Sequence, residues 1–420
     1  MPTHRNQTSL VTLVALAAAT VALVAVVALT TPGARAAQVH AAVSGTPVTF
    51  MISRAVGGGV PNGPSTHPVI SNDKRYARAI AFQSEASNLV RGDTNGVSDV
   101  FVVRRGGRID NEGIPWRIGT TVLISRTGGR APANGPSFAP SIDGAFHEVP
   151  SCVGFLSAAS NLARGDTNGQ VDAFVAKIGR KPRRLSPNGR QAKQPSTAIA
   201  VSGNCKSIAF VNGGKLYVSK NGKRPRRLAS RGVAADPSYS TGLRNDLVFG
   251  ARGGVYLAKD SRRPRLVGGG GRNPAYNDIK RQVVAYEKTI GGHSQIAYHD
   301  IGRREHVISR GRGVGNADSH NPVIGNSGYY VTFQTGASNL GTAAGGSFAD
   351  RNGAVDSYLY TDTRKVTLVE SVLEAGQPLP AGGENPGMSF YSNYIVFDTP
   401  YALARGIGTR QVFMRYVGGK

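Results

Sequence analysis

Residues Ala79–Arg104 read AIAFQSEASNLVRGDTNGVSDVFVVR. The stretch holds an apolar run ending at Phe82, the string Ser-Glu-Ala-Ser-Asn-Leu, a tight polar loop Asp93-Thr94-Asn95-Gly96, and a second strand-like run from Asp99. The same order returns at Gly154–Lys177 (GFLSAASNLARGDTNGQVDAFVAK) and, more loosely, over Val331–Tyr360. A repeated unit of this size cannot bury its apolar face alone, so its recurrence dictates the architecture before any local propensity is consulted.

A shorter string counts the units: a polar residue, usually followed by proline, then a small or apolar residue opening a strand. It occurs at His67-Pro68, Ala139-Pro140, Gln194-Pro195, Asp236-Pro237, Asn273-Pro274, Asn321-Pro322 and Asn385-Pro386, which makes seven. Each is followed by a second apolar run (Ile80–Phe82 in the first unit) and a third (Val100–Val103). A fourth run, such as Val122–Ser125, closes every unit but the last, where the chain ends at Lys420. The missing run lies at the other end. Val48–Arg54 (VTFMISR) has the texture of Val122–Arg126 (VLISR) and precedes the first unit. The reading is an all-β, seven-bladed β-propeller of four-stranded blades, closed by an N-terminal strand that completes the last blade, which leaves no free sheet edge at the join. Proline near the start of the innermost strand fits, because that strand needs no full ladder on its channel side.

These repeats resemble the TolB-like and WD-repeat-like β-propeller blades of exported bacterial proteins, over about Val48 to Lys420. The resemblance implies a fold and little about activity, since propellers host many functions. TolB-type proteins carry an additional N-terminal α/β domain, for which the short segment Ala37–Pro47 leaves no room.

Residues 1–36 read as a secretory leader. His4 and Arg5 make a weakly basic start, Leu10–Leu29 is apolar, and Ala34-Arg35-Ala36 places small residues at the positions a signal peptidase reads. The run is about 20 residues, long enough to span a bilayer, so an uncleaved anchor is the second reading. Residues 37–47 are then a short linker and 48–420 the propeller. Either way the body of the protein is expected to be exported, secreted or held in the cell envelope, and to meet membrane only through an uncleaved leader. The chain carries a net charge of +25, which draws it toward anionic surfaces. Cys152 and Cys205, the only cysteines, open the second strands of neighbouring units, and an oxidising compartment allows them to pair.

Three loops between second and third strands share Asp-x-Asn-Gly-x-x-Asp: Asp93, Asn95 and Asp99; Asp166, Asn168 and Asp172; Asp350, Asn352 and Asp356. Clustered oxygens with a glycine at the bend suit a hard cation such as Ca²⁺, the one cofactor candidate in the sequence. The pattern resembles the calcium loops of integrin-type propellers with one oxygen donor missing. The opposing reading is structural, because Asn-Gly is a favoured hairpin turn and Asp caps its own turn. Asn88, Asn161 and Asn339, in the Ser-Asn-Leu strings, are expected to bond backbone at the same loop.

The hairpins between third and fourth strands carry basic clusters: Lys181, Arg183 and Arg184; Lys223, Arg224, Arg226 and Arg227; Arg262, Arg263 and Arg265; Arg303 and Arg304. They are expected on the face opposite the acidic loops, where arginine suits phosphate or carboxylate groups of an envelope polymer or a protein partner. No aromatics interleave with them, which argues against nucleic acid. The residues before the repeated proline, His67, Gln194, Asp236, Asn273, Asn321 and Asn385, with Asp318, His320 and Glu384 nearby, are expected at the channel mouth, where propellers bind small ligands. The leading reading is a monomeric, non-catalytic binding or scaffolding module. The alternative is a hydrolase or lyase using Asp236, His320 or Glu384 at that mouth, without Gly-x-Ser-x-Gly or His-Glu-x-x-His to support it. The insertion Gly106–Gly119, with the only tryptophan, Trp116, reads as a contact loop or a disordered excursion.

Overall fold

The computed structural model describes residues 49–416 except 74–76, 107–115, 117–118, 145–148, 230–231, 233–235, 243, 312, 326, 341–349, 351, 363–365, 370–378 and 403–407. The leader and linker lie outside the described residues. After β1 (Thr49–Met51), blade one comprises β2 (Ser65–Ile70), β3 (Ala79–Ser84), β4 (Asp99–Arg104) and β5 (Thr120–Leu123). Blade two is β6 (Ser137–Ile142), β7 (Cys152–Ser157), β8 (Asp172–Lys177) and β9 (Arg183–Leu185). Blade three is β10 (Ser196–Val201), β11 (Ser207–Asn212), β12 (Lys215–Lys220) and β13 (Arg226–Ala229), and blade four β14 (Ser238–Tyr239), β15 (Leu247–Ala251), β16 (Gly254–Ala258) and β17 (Arg265–Gly269). Blade five is β18 (Gly271–Asn277), β19 (Val283–Ile290), β20 (His293–Asp300) and β21 (His306–Val307). Blade six is β22 (Ser319–Ile324), β23 (Tyr330–Thr335), β24 (Asp356–Thr361) and β25 (Val366–Val369), and blade seven β26 (Glu384–Met388), β27 (Tyr394–Thr399), β28 (Gln411–Tyr416) and β1.

Closure is as the sequence indicates. β1 pairs antiparallel with β28, Phe50 opposite Met414. The reason lies in Ser53, just past β1. Its hydroxyl donates to Gln411 Oε1 at 2.8 Å and accepts from Val412 N at 3.0 Å. Ser125 makes the same pair of bonds in blade one, to Asp99 Oδ1 and from Val100 N. The Ile-Ser-Arg texture shared by the two strands is therefore a bonding pattern that ties the outer strand to the head of the third.

The second and third strands are buried almost continuously, with both faces covered by neighbouring blades. One cross-strand aromatic pair recurs at a fixed register between second and third strands: Phe82–Phe101, Phe155–Phe174, Phe210–Tyr217, Phe249–Tyr256, Phe333–Tyr358 and Phe397–Phe413, with ring centroids 5.5–6.4 Å apart. Blade five departs from this. Tyr286 faces Ala297 instead, and the glycine run leading into β18 lies against its ring, where a Cβ on Gly271 would come within 2.4 Å of it.

The Ser-Asn-Leu strings explain why the repeat is so visible. Asn88, Asn161 and Asn339 do not bond their own loop, as expected from sequence, but the connector that enters the inner strand of their own blade. Each accepts from a backbone N–H there (Asn62, Asn134 and Asn316, 3.0–3.1 Å) and donates to a carbonyl (Val60, Pro132 and Val314, 3.0–3.3 Å). The string is a latch between successive strands at the blade edge.

Candidate functional site

In every blade the inner strand starts at the end carrying the second-to-third loops and finishes at the end carrying the third-to-fourth hairpins. The channel therefore has two chemically distinct ends.

At the starting end the structure gathers most of the residues expected there. His67, Ala139, Asn273, Asn321 and Asn385 share one position and a left-handed backbone, φ 46–55°, which asparagine tolerates better than most residues. Each is the bulged residue of its strand. The bulge turns its N–H toward the preceding blade, where a side chain accepts it: Asp398 Oδ2 for His67, Gln83 Oε1 for Ala139, Glu287 Oε1 for Asn321 and Gln334 Oε1 for Asn385, at 2.7–3.1 Å. Asp236 supplies the acceptor for Asn273 N, because its own second strand carries Gly250 where blades one, five, six and seven carry an acid or amide. The asparagine amides continue the circuit. Asn273 donates to Glu287 Oε1 at 2.7 Å and to Asn321 Oδ1 at 3.0 Å, Asn321 to Gln334 Oε1 at 3.1 Å, and Asn385 to Asp398 Oδ2 at 2.9 Å.

Three acids of this ring, Asp398, Glu384 and Glu287, have basic partners. Asp398, fully buried, takes Arg410 Nη1 at 2.6 Å, and Glu384 takes Arg410 Nη2 at 2.7 Å. Glu287, 4% exposed, takes Arg272 Nε at 3.1 Å and His320 Nδ1 at 3.2 Å. Burial holds the Asp236 and Asp398 carboxyls above the ordinary range, against hydrogen bonds that favour the charged form. The three residues named as acid–base candidates, Asp236, His320 and Glu384, are thus each held by a neighbouring side chain or backbone N–H.

Two expected members are elsewhere. Gln194-Pro195 matches Gly63-Pro64, not His67-Pro68: Ser196 pairs with Asn212 as Ser65 pairs with Ser84. Gln194 is exposed on the connector before β10. Asp318 immediately precedes β22 and is a rim residue, accepting from Ser294 N at 2.7 Å, a bond that lowers its pKa. Sequence reasoning missed Gln83, Glu287, Gln334 and Asp398. A signal existed, since each follows the recurring second-strand aromatic (Phe82, Tyr286, Phe333, Phe397).

The finishing end holds a cavity of about 270 Å³, walled by Ile70, Ile142, Val201, Tyr239, Val323 and Met388, with Asn72, Ser240 and Thr241 also on its lining. Around this end lie the basic hairpins. Lys181, Arg183, Lys223, Arg224, Arg226, Arg227, Arg263 and Arg265 are exposed, and among the described residues none of them forms an ion pair. Arg262 pairs with Asp260 at 3.3 Å. Arg184 does not belong to this face: it lies against Asp166 at 2.8 Å and Asp172 at 3.5 Å, at the loop end of blade two.

In the Asp-x-Asn-Gly loops the asparagines are clasps. Asn95 Nδ2 donates to Asp99 Oδ2 and to Ala133 O of the following connector, while its Oδ1 accepts from Val97 N. Asn168 and Asn352 repeat all three bonds. Flipping the amide would set oxygen against two acceptors, so the asparagine oxygen is not offered to a cation. Burial pushes Asp99 up to about 7.

Cys152 and Cys205 are joined as a disulfide across blades two and three, with Cα atoms 6.3 Å apart. Asp143 lies beside them, and these three form a cluster of metal-ligand residue types among the described residues. Both sulfurs are committed to each other, so no thiolate remains there for a metal. Trp116 is buried, edge-on to Tyr394 at 6.3 Å; it packs between blades one and seven and does not stand out as a contact residue, while 107–115 and 117–118 lie outside the described residues.

No protein-family model matches the sequence, and no curated protein matches it. Solved structures do. The putative TolB from Agrobacterium tumefaciens is 13% identical, over 57% of this chain and 95% of that one, with a TM-score of 0.38. The propeller domain of the Trilobed protease from Pyrococcus furiosus is 9% identical over 84% and 93%, TM-score 0.49. The GH74 xyloglucanase from Xanthomonas campestris is 11% identical over 87% of this chain and 55% of its own length, TM-score 0.48. What they share with this chain is the fold. The likeness to TolB-type propellers expected from the repeats is present, and it stops there.

Proposed function

We propose that the chain is an exported, non-catalytic propeller that binds an anionic partner, a phosphate- or carboxylate-bearing envelope polymer, through the end of the ring carrying the third-to-fourth hairpins. The observation that carries this is the band of exposed lysines and arginines on blades two to four, of which Lys181, Arg183, Lys223, Arg224, Arg226, Arg227, Arg263 and Arg265 form no ion pair among the described residues. Holding such charges close together disfavours the lone protein and is relieved by a polyanion. At the opposite mouth the acids and amides are occupied in joining blade to blade, which leaves a reaction there little to work with. Export is supported by the leader-like residues 1–36 and by the disulfide, which persists in oxidising compartments. Among the described residues no helix is long and apolar enough to cross a membrane.

Binding of residues 37–420 to polyglutamate and to polyphosphate, measured at low and moderate salt, tests the proposal. Affinity should fall steeply as salt screens the face. Arg224→Glu with Arg226→Glu and Arg227→Glu should weaken it on the order of tenfold, at about 0.2–1 kcal/mol for each exposed contact. Salt-independent binding, or binding unchanged in the triple variant, would refute the electrostatic face and turn attention to a protein partner.

A further inference from the structure

We infer that the Asp-x-Asn-Gly loops of blades one and six each take up a hard divalent cation, in the place where blade two holds the guanidinium of Arg184. The argument rests on differences among three copies of one loop in one chain. In blade two the paired acids are neutralised from within. Arg184 reaches Asp166 at 2.8 Å and Asp172 at 3.5 Å, and Gln191 Nε2 donates to Asp166 Oδ1 at 3.3 Å.

Register identifies the matching positions in blade one. Arg184 lies opposite Phe174, as Leu123 lies opposite Phe101. Gln191 precedes the residue whose carbonyl takes the Asn168 amide, as Pro132 precedes Ala133. Leucine and proline have replaced both donors, and the acids have stayed. Asp93 is 7% exposed and its Oδ1 is buried without a hydrogen-bond partner.

Blade six repeats the situation. The position of Arg184 falls on Val369, opposite Tyr358. Asp350 is 7% exposed with Oδ2 buried and unpartnered, and the Tyr358 hydroxyl, in a fully buried residue close to Asp350 and Asp356, is also unpartnered. Buried carboxylate oxygens without a partner are costly, and a charge of the opposite sign is what one copy of the loop already supplies. The ligands offered are carboxylate oxygens, with the phenolic oxygen added in blade six. They are hard donors, too few to complete a shell, so water fills the remainder. This selects Ca²⁺ or Mg²⁺ over softer metals and sets the affinity at the weak end, with Kd about 0.1–1 mM.

The inference is independent of the anionic-partner reading and uses a different face. It is tested on the full propeller, freed of metal with chelator and titrated calorimetrically with Ca²⁺ and then Mg²⁺. Two sites are expected, with the melting temperature rising roughly 4–7 °C at about 10 mM cation. Asp93→Asn should leave one site, and adding Asp350→Asn should leave none. Tb³⁺ luminescence excited through tyrosine should report blade six through Tyr358, vanish in Asp350→Asn and survive in Asp93→Asn.

Two substitutions move the site without removing an acid. Leu123→Arg gives blade one the guanidinium of blade two and should abolish its site. Arg184→Leu, together with Gln191→Pro, makes blade two resemble blade one and should create a third. Absence of any heat, melting shift or luminescence with the three cations would overturn the inference, as would binding undiminished in the double Asp→Asn variant. So would a third site failing to appear in folded Arg184→Leu/Gln191→Pro protein.

Discussion

Ser53→Ala strikes the seam at one hydroxyl. The change removes the bond to Gln411 Oε1 at 2.8 Å and the bond from Val412 N at 3.0 Å, both fully buried. Each partner left unsatisfied costs about 1–3 kcal/mol, so the loss is about 2–6 kcal/mol. For a span of roughly 370 residues the unfolding entropy is about 0.8 kcal/mol/K, which converts that loss to about 3–8 °C in melting temperature. Ser125→Ala removes the matching pair of bonds inside blade one, so a similar fall is expected from it. The two variants should differ in where the ring opens. Blade one is continuous chain, whereas blade seven is joined only by β1 on β28, so hydrogen exchange over residues 49–54 and 411–416 should accelerate in Ser53→Ala and stay as in wild type in Ser125→Ala. If Ser53→Ala melts and exchanges like wild type, the hydroxyl does not hold the seam and the bonding account of closure is wrong.

Replacing Cys152 and Cys205 by serine opens a cross-link spanning 53 residues. The chain-entropy model gives a loss of about 4 kcal/mol, read as a lower melting temperature that reductant no longer shifts; a melt matching that of the oxidised wild type would contradict it. Asp143 gives a pH signature. It is 2% exposed, accepts from Ser151 and Cys152, and is pushed up to about 6 mainly by burial. The folded chain therefore holds a proton that the unfolded chain releases near pH 4. The associated stability is fully present below about pH 4, falls as pH rises and is gone above about pH 6, a change of roughly 3 kcal/mol. Asp143→Asn should flatten the stability curve between those limits, and parallel curves for the two proteins would exclude the effect.

The blade count and the seam could be read from the chain because both are repeated patterns, and repetition survives ignorance of partners. The second-strand aromatic recurs in every blade, and the Ser-Asn-Leu latch and the Ile-Ser-Arg end of the outer strand in three places each, because blades are repeats of one unit that makes the same contacts wherever its residues are kept. Roles at the candidate sites were harder to read, for a specific physical reason. A residue before the inner-strand proline must adopt a left-handed backbone and turn its N–H to the preceding blade, and asparagine suits that task as well as it suits a ligand. Asn273, Asn321 and Asn385 therefore look alike under either role until the acceptors Glu287, Gln334 and Asp398 are seen beside them.

Gln194 shows a second cause. Blade one carries two prolines, Pro64 and Pro68, and blade three keeps only the counterpart of the first, so a string match without register lands on the wrong one. Arg184 shows a third. In sequence it is the last member of a basic run, indistinguishable from Arg183. The alternation of a strand sends the two side chains to opposite faces of the sheet, Arg183 to solvent and Arg184 onto Asp166. Charge in a linear sequence is a property of segments, but on an outer strand it must be assigned residue by residue. That assignment divides this chain's basic runs into a surface that can attract a polyanion and, separately, the guanidinium of Arg184, which neutralises an acidic loop at the opposite end.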